Sequence, residues 1–508
     1  MVILSANLDG FRAQKVTVEV DLSPGLHSFK IVGLPDQAVE EARERVSAAV
    51  RSSNAKPPQH HNRRITINLA PADVKKHGTW FDLPIALAFL FASGQLRCAE
   101  EERNLLAVGE LGLDGTIRPV TGVLAAAILA KEIGATLILP KENLTEAMLI
   151  PEVLLLPAET LKDLVTLLEK GEGILVGNGV APDLPEEASD FDLGFVRGQE
   201  QAKRALEIAA AGNHNLLMIG PPGAGKTLLA RTMPTILPPL SHEEMIEVTT
   251  IWSVAGLLHP ERPLVTTPPF RSPHHSASRA AIIGGGSGRA TPGEVTLAHR
   301  GVLFFDELPE FPRHVLEALR QPMEDGIVTV SRSEGAATYP ARFLFVAAKN
   351  PCPCGNATDP ERECTCSAGE IARYERRVSG PILDRIDLTV DVPRVSFAKL
   401  RGGENVESSE VVRERVMRAR ARQRERFRDL PLRTNAEMGT QHLERFVTLD
   451  RKSEELLHLA HDRFRLSPRA LTRILKVART IADLAGEEAV SSAHVAEAIR
   501  YRFEAPEG

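Results

Sequence analysis

A chain of 508 residues is too long for one hydrophobic core, and about two to four domains are expected. Its 43% apolar and 25% charged residues are the proportions of an ordinary soluble globular protein, and no apolar run approaches the ~20 residues of a membrane helix. The net charge of −6 argues against blanket adhesion to nucleic acid, so any such contact has to come from a local basic surface.

The opening stretch, MVILSANLDGF, lacks the basic region and long apolar core of a secretory signal, and a cytoplasmic location is expected. Residues 1–170 alternate strand-like segments, VTVEVDL and RITINLA, with helical ones such as QAVEEARERVSAAVRSS. Residues 171–192, rich in glycine, proline and acid, read as a linker. Residues 193–395 run helix, strand, glycine loop, helix, which predicts an α/β unit around a parallel sheet. Residues 396–508 are helical and basic. Among them VVRERVMRARARQRERFR (411–428) sets eight arginines against two glutamates, either a DNA-contacting surface or a solvated face.

Three consecutive signals build a nucleotide site. Gly220, Pro221, Pro222, Gly223, Ala224, Gly225, Lys226 and Thr227 form the phosphate-binding loop Gly-x-x-x-x-Gly-Lys-Thr, with an apolar strand before it and a helix-forming run after it. Its glycines let backbone N–H groups wrap a phosphate of ATP; Lys226 reaches the β/γ oxygens and the Thr227 hydroxyl binds Mg²⁺. In GVLFFDELPEF (301–311), a buried strand ends in Asp306, suited to hold Mg²⁺, and Glu307, suited to polarise water. A further apolar strand, FLFVAAKN, ends in Asn350, placed to meet the γ-phosphate or the lytic water. Arg385 precedes one more strand, in the manner of an arginine that completes a neighbour's site. Arg469 stands in the first turn of a helix, where its charge opposes the dipole and suggests an anionic partner.

The strings PFRSPHHSAS, LAHRGVLFFDELPEF, LEALRQPMEDG, NPCPCG, SGPILDRIDL and ILKVARTIADLAG resemble, almost word for word, the ComM/YifB family of magnesium-chelatase-like AAA+ ATPases. The resemblance implies that Asn350 is sensor 1, Arg385 the trans arginine finger and Arg469 the sensor 2 arginine, with residues 396–508 as a helical lid. It also implies a homo-hexamer that acts on single-stranded and branched DNA as a helicase and branch-migration motor in natural transformation, alongside recombination proteins. Two insertions typical of such rings are visible, FRSPHHSASRAAIIGGGSGRATPG (270–293) and a strand–turn–strand in GIVTVSRSEGAATYPARF with its turn at Glu334–Gly335. Arg271, Arg279, Arg289 and Arg332 are the arginines expected to meet DNA phosphates there.

The N-terminal part resembles the Lon-protease fold (the α+β domain 2 of ribosomal protein S5) through GELGLDGTIRPVTGVLAAAILAKEIGATLILPKEN. Leu124 stands where Lon has its catalytic lysine, and GTWFDLP (78–84) replaces the serine motif, so peptide hydrolysis is not expected. A chelatase-type metal-insertion chaperone and a Lon-like protease or unfoldase remain the alternative functions. Finally, Cys352, Cys354, Cys364 and Cys366 could give four thiolates to one tetrahedral zinc, although C-x-C pairs are tighter than the usual C-x₂₋₄-C; free thiols and a redox switch stay open.

Overall fold

The computed structural model describes residues 2–60, 62–98, 104–180, 190–259, 261–285, 290–332, 335–359, 361–378, 380–395 and 406–502. Towards the N-terminus, strands β1 (Ile3–Asp9), β2 (Arg12–Pro24), β3 (Ser28–Val32), β4 (Arg63–Ala70) and β5 (Leu105–Ala107) are followed by a small hairpin, β6 (Glu110–Leu111) and β7 (Ile117–Arg118). Strands β8 (Thr136–Pro140), β9 (Leu154–Ala158) and β10 (Leu175–Val176) complete an eight-stranded mixed sheet ordered β10-β9-β8-β5-β1-β2-β4-β3. The alternation in RRITINLA sends Ile65, Ile67 and Leu69 into the core. The Gln37–Ser52 helix starts where Asp36 accepts the Val39 N–H at 2.8 Å, and buries Val39, Ala42, Val46, Ala49 and Val50.

The segment GTWFDLP turns inward: Trp80 and Phe81 are buried, and the buried Asp82 carboxylate is gripped by Arg45 at 2.6 and 2.9 Å. Leu124 is fully buried, and its N–H donates to Glu146 at 2.9 Å. The expected 171–192 linker is only partly a connector. Leu175 and Val176 pair with β9 as an edge strand, and residues 181–189 lie outside the described residues.

The central unit holds β11 (Leu216–Ile219), β12 (Phe270–Arg271), β15 (Val302–Phe305), β18 (Leu344–Lys349) and β19 (Leu388–Asp391), ordered β12-β15-β18-β11-β19 with every pairing parallel. These strands are apolar on both faces because both faces are covered. Leu216 and Met218 join a core shared with the C-terminal helices, whereas Leu217 and Ile219 join one beneath the insertions. Two hairpins leave this sheet: β13 (Gly284–Gly285) with β14 (Thr291–Pro292), and β16 (Ile327–Arg332) with β17 (Gly335–Pro340). The C-terminal helices Ser409–Arg426 and Pro468–Ala485 both pack on the Glu200–Gly212 helix.

The His242–Val254 helix ties the units together. Its Ser253 hydroxyl donates to the buried Glu146, Val254 joins the N-terminal core, and Trp252 Nε1 donates to the Leu297 carbonyl at 3.3 Å. The turn between β1 and β2 also reaches across: Phe11 packs in the core beneath β16 and β17, and a Cβ on Gly10 would lie 3.2 Å from the Thr338 carbonyl oxygen. On the same long helix, Glu247 receives Arg300 Nε and Nη2 at 3.0 and 2.9 Å, with His299 Nε2 at 3.2 Å. Burial pushes the Glu247 carboxyl up, but His299 and Arg300 outweigh it and hold it at about 2.

A carboxyl held below its unfolded value, roughly 4.3, stabilises the fold above that pH and loses its contribution as pH falls through the folded value. Glu247→Gln should therefore be less stable than the parent at neutral pH, with the difference shrinking as pH drops from about 4.3 to about 2. Chemical unfolding across that range checks it.

Candidate functional site

The turn between β11 and the Lys226–Ile236 helix leaves the C-terminal edge of the parallel sheet, where such sheets bind ligands. Two of its glycines are required by geometry: Gly225 has φ +93°, and a Cβ on Gly220 would lie 2.1 Å from the Val392 carbonyl oxygen. Gln199, which the sequence reading passed over, braces the loop by donating to the carbonyls of Ala224 at 3.1 Å and Pro393 at 2.6 Å. The Lys226 amine is buried and donates to the carbonyls of Gly220 and Pro221 at 2.6 and 3.0 Å and to Asn350 Oδ1 at 3.1 Å. Burial pulls this amine below its ordinary range, against Asp306 and Glu307, so the ammonium lacks compensation that an anionic phosphate would supply.

Next to it, the Thr227 hydroxyl donates to Asp306 Oδ2 at 2.7 Å. Adjoining hydroxyl and carboxylate oxygens are the hard donors that Mg²⁺ takes. Asp306 Oδ1 accepts the Glu307 N–H at 2.9 Å, and Glu307 itself has φ +52°, a left-handed conformation that non-glycine residues adopt at a cost. His275 stands 3.6 Å from the Glu307 carboxylate, with its ring 4.0 Å from that of His274 and edge-on to Phe311 at 6.4 Å. The paired histidines directly after β12 were the available signal, but only folding shows that one of them meets Glu307. Behind Asn350, burial foremost pushes the Tyr374 phenol up to about 12, with the Asn350 backbone N–H acting against it.

Lys226 thus bonds Asn350, and its chain neighbour Thr227 bonds Asp306, which in turn accepts the Glu307 N–H, so the five residues meet at one edge of the sheet. Arg385 is elsewhere. Its carbonyl accepts Asn215 Nδ2 at 2.8 Å just before β11, and Leu216 lies opposite Leu388, so Arg385 sits at the N-terminal edge of the sheet. The phosphate loop leaves the other edge, about 13 Å along four strand residues. The Arg385 guanidinium donates to the Pro381 carbonyl at 2.8 Å and pairs with Glu324. Arg469 is exposed in the first turn of the Pro468–Ala485 helix, which Ser467 caps at 3.2 Å, and it bonds to none of the cluster.

The four cysteines converge. Every pair of their sulfurs lies within 4.8 Å, and Sγ–Sγ distances are 3.3 Å for Cys352–Cys354, 3.6 Å for Cys352–Cys364 and 3.7 Å for Cys354–Cys364. None is disulfide-bonded. Thiolates ~2.3 Å from a tetrahedral ion stand ~3.8 Å apart, so these spacings suit a soft divalent cation. The N–H groups of Asn356 and Thr365, chiefly, draw the Cys354 thiol down to about 5. At Cys366 the Cys354 N–H acts likewise, yet desolvation and the neighbouring sulfurs push the thiol up to about 12.

The arginines expected to meet DNA divide sharply. Arg271 is already engaged: Glu294 holds it at 2.6 and 2.8 Å, and it lies over the Trp252 ring at 5.7 Å. Arg279 is exposed at the start of the Arg279–Ile283 helix, and Arg332 closes β16 opposite Gly335 at the hairpin tip. Arg289 lies outside the described residues. In the arginine-rich helix, Arg420 donates to the Ala210 carbonyl at 2.8 Å at the end of the Glu200–Gly212 helix, Arg415 binds Glu207 and Glu407, and Arg426 binds Asp483. Much of that charge serves helix ends and internal acids.

Residues 18–143 match the family model for subunit ChlI of Mg-chelatase, residues 192–400 the model for magnesium chelatase, subunit ChlI, and residues 406–502 its C-terminal model. The competence protein ComM of Haemophilus influenzae is 44% identical over 502 residues, covering 97% of this chain and 95% of the relative. An uncharacterized protein of Mycobacterium tuberculosis is 44% identical over 499 residues, covering 98% and 97%. The uncharacterized protein YifB of Escherichia coli is 43% identical over 498 residues, covering 97% and 95%. With likeness running from end to end and a parallel-sheet phosphate loop at its centre, the chain belongs to the ComM/YifB family of magnesium-chelatase-like AAA+ proteins.

Proposed function

We propose that this protein is an ATP-driven DNA motor, working as a homo-hexameric ring on single-stranded and branched DNA during recombination of incoming DNA. The observation that carries the reading is the separation of Arg385 from its own phosphate loop across the sheet. An arginine at that edge meets a nucleotide only if a neighbouring copy supplies the nucleotide, through a head-to-tail interface that closes into a ring. End-to-end likeness to a relative named competence protein supports the DNA context. The metal-insertion alternative draws on the magnesium-chelatase family matches, against which stands likeness over nearly the whole chain to the relative named competence protein.

In this reading the loop N–H groups and Lys226 hold the β- and γ-phosphates, replacing the carbonyl contacts that Lys226 now makes. Mg²⁺ bound by Thr227 and Asp306 would neutralise phosphate charge. Glu307 takes a proton from the attacking water, and His275 keeps its carboxylate in place. Asn350 orients the γ-phosphate, the neighbour's Arg385 stabilises charge on the transferred group, and Arg469 reports nucleotide occupancy to the helical lid. The four cysteines hold structural zinc. Exposed Arg279 and the hairpin ending in Arg332 face DNA in the pore, gripping phosphates without reading sequence.

Lys226→Ala should abolish nucleotide binding, whereas Glu307→Gln should keep affinity within about threefold and lose at least ~10²-fold in turnover. Fluorescent-nucleotide titration beside a phosphate-release assay separates the two, and equal loss of affinity in both would contradict the assigned roles.

Arg385→Ala alone should lose about 10³-fold in turnover. Mixed with inactive Lys226→Ala protein it should recover measurable ATPase, because some interfaces then pair an intact loop with an intact arginine. No recovery at any mixing ratio would mean the site is not shared.

Single-stranded DNA should stimulate ATP turnover, and binding should weaken with salt. Arg279→Ala should lower the slope of log affinity against log salt by about one. Turnover indifferent to DNA, with no salt-sensitive binding, would favour the metal-insertion alternative.

A further inference from the structure

The four-cysteine cluster lies outside the reacting groups, yet its backbone is built into the nucleotide site at several points. Three parts of the phosphate loop touch the seven residues Lys349–Gly355. The Gly220 N–H donates to the Lys349 carbonyl at 3.3 Å, and Lys226 donates to Asn350 at 3.1 Å. Pro222 packs on Gly355, where a Cβ would stand 2.4 Å from Pro222 Cδ and 2.7 Å from Cγ. Gly355 has φ +84° and closes the turn that begins at Cys352, donating to its carbonyl at 3.0 Å. No other residue fits there without moving the loop.

The second cysteine pair returns to the same place. Cys366 directly precedes Ser367, whose hydroxyl accepts the Glu370 N–H at 3.3 Å and starts the Ala368–Glu375 helix. That helix carries Tyr374, whose phenol feels the Asn350 backbone N–H. Between the pairs, Asp359 anchors the excursion to Arg394 at 3.0 Å, one residue after the Pro393 carbonyl that Gln199 uses to brace the phosphate loop. A cation joining the four sulfurs would therefore fix the turn that follows Asn350 to the start of the Ala368–Glu375 helix, and with it the surface on which Pro222 rests.

We infer that occupancy of the Cys352–Cys354–Cys364–Cys366 site by a thiophilic divalent cation such as zinc is thermodynamically coupled to nucleotide binding, the metal setting the phosphate loop and Asn350 in their binding geometry. The inference rests on the nucleotide-site reading proposed above. Coupling of this kind is reciprocal: the factor by which metal tightens nucleotide is the factor by which nucleotide tightens metal. No group is transferred and no redox step is involved.

The test uses the full-length protein with zinc ion and a non-hydrolysable ATP analogue. Zinc-replete protein should carry about one metal per chain, and stripping it with a chelator should weaken the analogue at least tenfold with unchanged far-ultraviolet circular dichroism. Saturating analogue should lower the zinc dissociation constant by the same factor, making zinc harder for the chelator to extract. Cobalt substitution should give a tetrahedral thiolate spectrum that shifts when the analogue binds. Gly355→Val should keep the metal yet lose analogue affinity, and Cys364→Ser should lose both metal and the chelator response. Equal analogue affinity with and without metal in the folded parent protein overturns the coupling, and so does less than half an equivalent of zinc after reconstitution. Failure of zinc-replete parent protein to bind the analogue at all would instead strike the nucleotide-site reading itself.

Discussion

A parallel sheet has two chemically distinct edges, and this one separates Lys226 from Arg385. The loop after β11 brings Lys226 to Asn350 and Thr227 to Asp306, each within hydrogen-bond distance. Arg385 is fixed at the opposite edge by Asn215 and by the register of β11 on β19. No side-chain rotation closes a gap of about 13 Å. A phosphoryl-transfer site that uses both groups has to be assembled from two chains, and the proposed ring and its head-to-tail interface follow from that constraint.

Buried polar groups carry the same logic inward. Asp387, two residues beyond Arg385, is buried against His214, Arg473 and Lys476; burial pushes its carboxyl up, but these cations and the His214 contact outweigh it and hold it down. Arg473 belongs to the helix that also carries Arg469, one turn earlier, so the segment presenting Arg385 and the helix presenting Arg469 share an ion pair at 3.4 Å. At the other side of the sheet, the His242–Val254 helix links the N-terminal unit through Glu146 to the approach of β15 through Arg300. The turn at Gly10 and Phe11 reaches the base of the β16–β17 hairpin. The hairpin and the N-terminal unit are thus in direct contact.

What was legible in the sequence is what is local. The phosphate loop, the Asp306–Glu307 strand end, the Asn350 strand end and the pairing of β16 with β17 each declare themselves within a short run of residues, because spacing and composition there fix the backbone directly. The convergence of the four cysteines was legible from their clustering as well. Contacts between distant segments were not. The ion pair of Arg271 left no local mark because Glu294, its partner, lies across the first insertion. The arginine-rich helix read ambiguously because its partners, the Ala210 carbonyl and Glu207, sit some two hundred residues earlier. His275 beside Glu307 and Gly355 beside Pro222 leave no mark in composition at all. β10 was hidden in a stretch whose glycines and acids masked two apolar residues.

The central claim, that neighbouring copies complete one another's nucleotide sites around a strand of DNA, is tested most directly by electron microscopy of Glu307→Gln protein with ATP and forked DNA. The account predicts closed six-membered rings with DNA density in the pore and Arg385 of each copy against the nucleotide of the next. Single copies bearing nucleotide, or rings whose Arg385 points away from every nucleotide, would contradict it.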